Sequence, residues 1–240
     1  RPDSNRVHKM AFAKAAEAVF PGRVETGHSM EELQSSHGAT DGIILAKFCA
    51  QFGGVSFEEV VERLPDLYRA MDDYFQGERK AIADGLEVIS GVQEALGALQ
   101  VAGCHVGLVT GNLQSIAWAK MAAVGLAELF SEPAFGGFGS DVVPTGTGDE
   151  AKSHDRGEQI KFAMRQRVAE NGAGRFHVGD APSDVCAAAY AGVTPIGVAT
   201  GIFSEEELHA ACPEAIVLSS LEDLQTFLKV LGLGPATGTA

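Results

Sequence analysis

Two aspartates separated by three residues give the clearest indication of chemistry in this sequence. Asp180 follows the apolar run 176–178 and Gly179, and Asp184 begins an alanine-rich segment. The pattern predicts a short strand, a turn and a helix. Ligands of parallel α/β sheets bind where the strands' carboxyl ends meet the following loops, and paired carboxylates there suit a hard cation such as Mg²⁺. The alternative is structural, a turn aspartate followed by a helix-capping one.

A second strand-to-helix junction lies upstream. The apolar run 105–109 ends in Thr110, Gly111 and Asn112, before a predicted helix over residues 113–124. A hydroxyl at a strand tip, together with the free N–H groups of a helix N-terminus, can hold the oxygens of a phosphate or another oxyanion. An ordinary turn with a capping Thr or Asn is the alternative. Because both junctions follow strands, the sequence predicts that they share one edge of the sheet.

The two junctions resemble motifs of the haloacid dehalogenase-like hydrolases, in particular of the phosphoglycolate-phosphatase-like branch with a small helical cap. Several further segments also resemble motifs of this family, and all of them follow the family's order along the chain. The resemblance spans roughly residues 3–232. The further segments are 136–141, Asp155-Arg156, 196–201 and 221–224. The resemblance implies a Rossmann-like parallel core, dependence on Mg²⁺, and hydrolysis of a phosphate ester through a covalent aspartyl intermediate.

The same resemblance implies roles for individual residues. Asp180 is expected to be a direct metal ligand. Asp184 is expected either to ligate the metal or to orient a metal-bound water. Thr110, with the backbone N–H groups of Gly111 and Asn112, is expected to bind the phosphate oxygens.

A cation is also required to neutralise the phosphate and the attacking carboxylate. Arg156 is the candidate that the family pattern favours, at the start of a helix that we expect from about residue 157 to 170. Lys152 and Lys161 are its competitors, because the Gly-, Thr- and Pro-rich loop 141–153 makes the register ambiguous.

One family motif has no counterpart in the sequence. In that family an apolar first strand ends in Asp-x-Asp-Gly-Thr, with the first aspartate as nucleophile and the second as general acid and base. The opening residues 1–12 look like the segment that follows this motif, and Asp3 has neither the strand before it nor Gly-Thr after it. We therefore expect a fragment that is inactive as given, without the central strand between those ending at Thr110 and Gly179.

The organisation along the chain suggests two domains. Residues 1–88 show helical patterns and no convincing strand, as expected for a helical cap. Strands and helices then alternate over residues 89–233, which is typical of a parallel α/β core. Residues 234–240 are expected to be a frayed tail.

Within the cap, we expect one helix over residues 5–19 and a second that Thr40 or Asp41 caps. A third helix is expected to break near Pro65. His8, on the first helix, is expected at the surface or half-buried.

The amino-acid composition limits the kinds of partner that the protein can bind. A formal net charge of −14 argues against nucleic acid and anionic membrane surfaces, which favour basic patches. We expect a small phosphorylated metabolite as the partner.

The four cysteines form no C-x-x-C pair, and Cys104 and Cys186 lie in apolar surroundings typical of core residues. This usage suits a reducing compartment, either the cytoplasm or an organellar stroma or matrix, although the first residue is Arg1 and a targeting peptide could precede it.

Two other functions are compatible with the sequence. Carbon–halogen hydrolysis, as in a 2-haloacid dehalogenase, occurs in the same family and requires no cation. A non-catalytic relative would bind a ligand or partner instead. Metal dependence separates the phosphatase from the dehalogenase.

Overall fold

The computed structural model describes residues 6–25, 27–28, 30–33, 38–167 and 174–234. Three helices precede an alternation of strands and helices, which confirms the predicted α/β class. The elements are α1 (Arg6–Val19), α2 (Asp41–Gly53), α3 (Phe57–Gly77), α4 (Val92–Val101), β1 (Leu108–Val109), α5 (Gln114–Ala123), β2 (Gly136–Gly137), α6 (Asp149–Arg165), β3 (Phe176–Gly179), α7 (Pro182–Ala191), β4 (Thr194–Val198), α8 (Glu205–Ala211), β5 (Ile216–Leu218) and α9 (Leu224–Val230). Asp3 and most of the predicted tail lie outside the described residues.

Helices α1, α2 and α3 pack against one another and form a helical layer. Their apolar stripes meet in a common core, because residues three and four apart share one face of a helix. The core includes the buried side chains of Phe12, Phe48, Cys49, Leu67, Met71 and Phe75. Cys104 and Cys186, which we expected in the core, are only half-buried.

The caps of this layer fix where its helices begin. The Thr40 hydroxyl accepts a hydrogen bond from the Ile43 N–H at 3.3 Å, so Thr40 is the N-cap of α2 and Asp41 is its first residue.

The predicted break near Pro65 is wrong, because α3 continues through it. Burial of Leu64 and Leu67 on either side outweighs the roughly 3 kcal/mol that an interior proline costs.

The parallel sheet runs in two pieces. Strand β1 pairs with β2, while β3, β4 and β5 form a second ladder in that order. Among the described residues β1 and β3 are not paired. Strand β1 precedes Thr110 in the first piece, and β3 precedes Asp180 in the second.

Helix α6 links the two pieces. It packs against β1 and β2 on one side and along α7 on the other, and α7 covers β3 and β4. The helix expected from about residue 157 starts earlier, because α6 begins at Asp149, so the predicted start is wrong. Asp149 and Glu150 in its first turn stabilise this earlier start by their charge. Arg156 consequently lies in the third turn, within the packed part of the helix.

No helix in the described ranges has the combination of length and apolar character that crossing a membrane requires.

Candidate active site

The carboxylates of Asp180 and Asp184, here called the carboxylate pair, lie where β3 ends and α7 begins. Pro182 occupies the first position of α7, which its fixed backbone angle favours. Asp184, two residues later, accepts the Ala181 N–H on Oδ2 at 3.2 Å. Its side chain folds back over the strand tip, since a Cβ at Gly179 would lie 2.6 Å from the Asp184 Cγ. Glycine at 179 is therefore what allows the carboxylate to sit there.

The two members of the pair differ in their electrostatic surroundings. Burial raises the pKa of Asp180, and the neighbouring charge of Asp184 raises it further. For Asp184 burial also favours the protonated form, but His177 and Arg156 stabilise the carboxylate and lower its pKa overall. His177 Nε2 is 4.0 Å from Asp184 Oδ1, beyond hydrogen-bond distance, so its influence is electrostatic. Asp184 is thus the stabilised anion and Asp180 the destabilised one.

Among the three candidate cations, Arg156 is the one beside the carboxylate pair. Its Nε lies 3.2 Å from Asp184 Oδ1, and its NH1 donates to Gln159 Oε1 at 3.1 Å. Lys152 instead donates to an acidic neighbour in the first turn of α6, at 2.7 Å. Lys161 bonds Glu158 at 2.9 Å on the same helix.

Three buried side-chain nitrogen atoms have no well-aligned hydrogen-bond partner within the described part of the chain. They are Arg156 Nε, Gln159 Nε2 and His177 Nε2. Two of them face the same carboxylate, since Arg156 Nε lies 3.2 Å and His177 Nε2 lies 4.0 Å from Asp184 Oδ1. Sequence reasoning misses Gln159 and His177, because neither belongs to a recognisable motif.

The residues between β1 and α5, 110–113, form a second loop, here called the Thr110 loop. The Thr110 N–H donates to Gly137 O at 3.0 Å and anchors the loop to β2. The Asn112 N–H donates to the Thr110 hydroxyl at 3.3 Å, so it is directed at its own loop. Within the described residues no acceptor bonds the Gly111 N–H. The Thr110 hydroxyl proton and the Gly111 N–H are therefore the donors that can serve an oxyanion.

A short segment of the helical layer, residues 38–41, contacts both junctions; we call it the bridging segment. On one side, a Cβ at Gly38 would lie 3.4 Å from the Ser183 Cβ, next to the carboxylate pair. On the other side, a Cβ at Gly111 would lie 2.9 Å from the Thr40 Cα. The bridging segment therefore contacts both the β3–α7 junction, which carries the carboxylate pair, and the Thr110 loop.

Comparison with known proteins identifies the family of this chain. The model of a hydrolase family, the haloacid dehalogenase-like hydrolases, matches residues 3–192. The chain belongs to this family. This haloacid dehalogenase-like hydrolase is 29% identical over 198 residues to the protein named "Probable phosphatase IndB" from Dickeya dadantii (strain 3937), covering 82% of this chain and 76% of that protein.

Solved structures share the fold. A hydrolase from Pseudomonas syringae superposes with a TM-score of 0.58 and 16% identity, covering 95% of this chain and 93% of that one. A predicted phosphatase from Clostridium acetobutylicum gives a TM-score of 0.55 and 19% identity, covering 93% of each chain. At these identities the likeness establishes the fold of the haloacid dehalogenase-like hydrolase.

The carboxylate pair of this haloacid dehalogenase-like hydrolase fits a divalent cation in its donor chemistry. Two adjacent carboxylates, of which Asp180 has a raised pKa, lack a full counter-charge that a hard cation would provide. Gly201 forms the opposite wall, where an added Cβ would lie 3.0 Å from the Asp180 Cγ. No group of three or more acidic, His or Cys side chains is arranged around an ion site in the described ranges. Asp180 and Asp184 are the side chains that could hold the ion.

Proposed function

We propose that this hydrolase cleaves phosphomonoesters of small metabolites with the aid of Mg²⁺. The observation that carries the proposal is the bridging segment 38–41, which contacts both Ser183, a sequence neighbour of Asp184, and Gly111 of the Thr110 loop. Phosphoryl transfer requires neutralisation of charge and hydrogen-bond donors in fixed positions. A cation site and an oxyanion site, one on each side of this segment, would supply both. The name of the Dickeya dadantii relative, which describes a phosphatase, supports the same reaction.

In this proposal the Thr110 loop binds the phosphoryl oxygens. The Thr110 hydroxyl and the Gly111 N–H donate hydrogen bonds to them, while Asn112 holds the loop through its bond to Thr110. Donors fixed before the reaction stabilise the charge that develops in the transition state. Loss of one such donor typically lowers turnover by roughly 10²–10³-fold.

The carboxylate pair would hold the cation. Asp180 ligates it directly, and Asp184, which Arg156 and the Ala181 N–H already engage, ligates it or orients a bound water. The chemistry that Mg²⁺ supplies when bound is neutralisation of the phosphoryl oxygens. Arg156 adds a second positive charge, which matters because the chain carries a net charge of −14 and repels anionic substrates at long range.

The covalent step of the proposed reaction is attack of an aspartate carboxylate on phosphorus. The alcohol leaves, and water then cleaves the aspartyl-phosphate to inorganic phosphate. None of the 240 residues is an aspartate in an Asp-x-Asp-Gly-Thr motif, in which the family's nucleophile stands. The proposal for this chain therefore concerns the groups that hold the cation and the phosphate and that neutralise charge.

We also propose that the chain divides into two domains between residues 88 and 89. The helical layer then forms a cap over the core. Two contacts support this assignment: the Tyr68 hydroxyl donates to Gly139 O at 3.4 Å, and the Ser115 hydroxyl donates to Asp72 at 2.6 Å. A cap held over the site in this way would exclude bulk water during the reaction.

Binding measurements test the proposal. Isothermal titration calorimetry should show Mg²⁺ binding that Asp180→Asn abolishes and that the control Asp66→Asn, a surface ion-pair change, leaves intact. Inorganic phosphate should bind more tightly with Mg²⁺ present than in EDTA. Phosphate binding that is indifferent to Mg²⁺ would contradict the proposal. Halide release from a 2-haloacid in the presence of EDTA would instead support the carbon–halogen alternative.

A further inference from the structure

An aspartate of the helical layer occupies the N-terminus of α5. This helix begins at Gln114, and its N-cap is Leu113, whose side chain cannot accept a hydrogen bond. Asp41 Oδ2 accepts the Leu113 N–H at 2.9 Å instead, across 72 residues of sequence. A negative charge at a helix N-terminus is favourable, because it meets the positive end of the helix dipole. Asp41 therefore caps a helix of the core from a different part of the fold.

The same aspartate holds the two preceding residues of the Thr110 loop. Its backbone N–H donates to Gly111 O at 2.7 Å, and its Oδ1 accepts from Asn112 Nδ2 at 3.3 Å. With the bond to Leu113, three consecutive loop residues are tied to one side chain and its backbone. The peptide plane between Gly111 and Asn112 is fixed on both sides, since the Asn112 N–H is bonded to Thr110.

The Asp41 carboxylate is fully buried, so its charge requires compensation. His8 Nε2 lies 3.3 Å from Asp41 Oδ2. Lys120 Nζ lies 2.9 Å from His8 Nδ1 and 3.1 Å from Asn112 Oδ1. His8 and Lys120 are themselves 3% and 6% exposed. The network thus joins α1, α2 and α5 to the Thr110 loop.

We infer that Asp41 is a positioning residue for phosphate binding: by bonding residues 111–113, it fixes the loop conformation in which the Gly111 N–H and the Thr110 hydroxyl are left for the ligand. The inference rests on the proposed function. A merely structural Asp41 would contribute to the stability of the fold and would leave the phosphate affinity of the folded protein unchanged.

The test compares Asp41→Asn with Ser115→Ala. Asp41→Asn keeps the side-chain volume but removes the charge and one acceptor oxygen. Ser115→Ala removes another hydrogen bond between the helical layer and the core, the 2.6 Å bond to Asp72, without touching the Thr110 loop. The readout is the Gly111 amide resonance in ¹⁵N NMR spectra during titration with inorganic phosphate and Mg²⁺, well below the melting temperature of each variant.

We expect wild type and Ser115→Ala to bind phosphate with equal affinity. Asp41→Asn should bind about tenfold more weakly or worse, the effect of losing a charged hydrogen-bond partner. Its free Gly111 resonance should also be displaced. Equal affinities of Asp41→Asn and wild type would overturn the inference. Wild type without any phosphate response would instead overturn the proposed function, and the inference with it.

A second variant covers the case in which Asp41→Asn does not fold. Lys120→Met removes the ammonium between His8 and Asn112 while keeping a long apolar side chain. We expect an intermediate, severalfold loss of phosphate affinity. An unchanged affinity of Lys120→Met would likewise overturn the inference.

Discussion

Arg156 and Asp184 form a buried ion pair in which Nε lies 3.2 Å from Oδ1. The pair joins α6 to α7, and therefore the β1–β2 piece of the sheet to the β3–β5 piece. It also contributes to the lowered pKa of Asp184. One interaction thus serves both the packing of the core and the electrostatics of the candidate site.

Replacing Arg156 by methionine should destabilise the protein by roughly 3–5 kcal/mol, because the buried Asp184 carboxylate loses its counter-charge. Urea unfolding at neutral pH measures this change. Arg69→Met is the matched control, since Arg69 pairs with Asp66 at the surface and its loss should cost less than about 1 kcal/mol. The double variant with Asp184→Asn should recover part of the stability. A loss for Arg156→Met no larger than that of the control would show that the ion pair contributes little.

Asp180→Asn should stabilise the metal-free protein at neutral pH. The raised pKa means that the folded state binds a proton at Asp180 more tightly than the unfolded chain does, so the ionised form opposes folding. This penalty is absent below the ordinary value of 3.8, grows as the pH rises from there to the raised folded pKa, and stays constant above it. Thermal melts in EDTA should therefore show a higher Tm for the variant at neutral pH and no difference near about pH 3. A lower Tm at neutral pH would contradict the raised pKa.

Asp184→Asn should act in the opposite direction. The folded pKa of Asp184 is lowered, so its ionised form supports folding above the ordinary value of 3.8 and loses this effect as the pH falls through the folded pKa. The same melts in EDTA should show a reduced Tm at neutral pH and a shrinking difference in acid. If Asp180→Asn and Asp184→Asn shift the Tm in the same direction, the electrostatic distinction between the two carboxylates is wrong.

Gly201→Ala should weaken Mg²⁺ binding without removing a ligand. The added methyl group would contact the Asp180 carboxylate, which can rotate away but then leaves its place in the pair. We expect a loss of roughly tenfold or more in Mg²⁺ affinity, comparable to the loss of an outer-shell partner. Calorimetric titration measures it, with Gly97→Ala as the control, because a Cβ at Gly97 meets nothing within 4 Å. Equal affinities of the two variants would exclude a role for Gly201 in seating Asp180.

Cys49 should resist alkylation in the folded protein. It is buried in the helical layer, and burial raises the pKa of its thiol to about 12. The reactive thiolate is therefore scarce at mildly alkaline pH. Iodoacetamide labelling followed by peptide mass spectrometry should show modification of the half-buried Cys104 in the native protein. Cys49 should be modified only after the protein unfolds. Rapid labelling of Cys49 in the native state would indicate that the helical layer opens.

Local patterns were sufficient to predict the two junctions, because the signals for each lie close together in sequence. An apolar run followed by small residues predicts the ends of β1 and β3, and Asp184 before an alanine-rich segment predicts a helix start close to that of α7. The alternation of such units identified the α/β class, and the order of the motifs identified the family. The roles of Thr110 and Asp180 in catalysis stay predictions.

The contacts that join these junctions could not be predicted, because they link residues far apart in the chain. Sequence reasoning makes Asp41 a candidate helix cap in a segment, 38–41, that resembles a loop facing the active site in the family. It does not indicate the partner Leu113, which is 72 residues away. His8, expected at the surface or half-buried, is buried against Asp41 and Lys120. A polar residue on an amphipathic helix does not reveal which distant charge it will meet.

The position of α6 has a consequence for how the site can evolve. Its 17 residues pack against β1 and β2 on one side and along α7 on the other. Strand β1 leads to the Thr110 loop, and α7 begins at the carboxylate pair. Volume changes on the buried face of that helix would shift the anion-binding end relative to the cation-binding end by fractions of an ångström. Selection could thus adjust the rate or the preferred substrate while every reacting group keeps its identity.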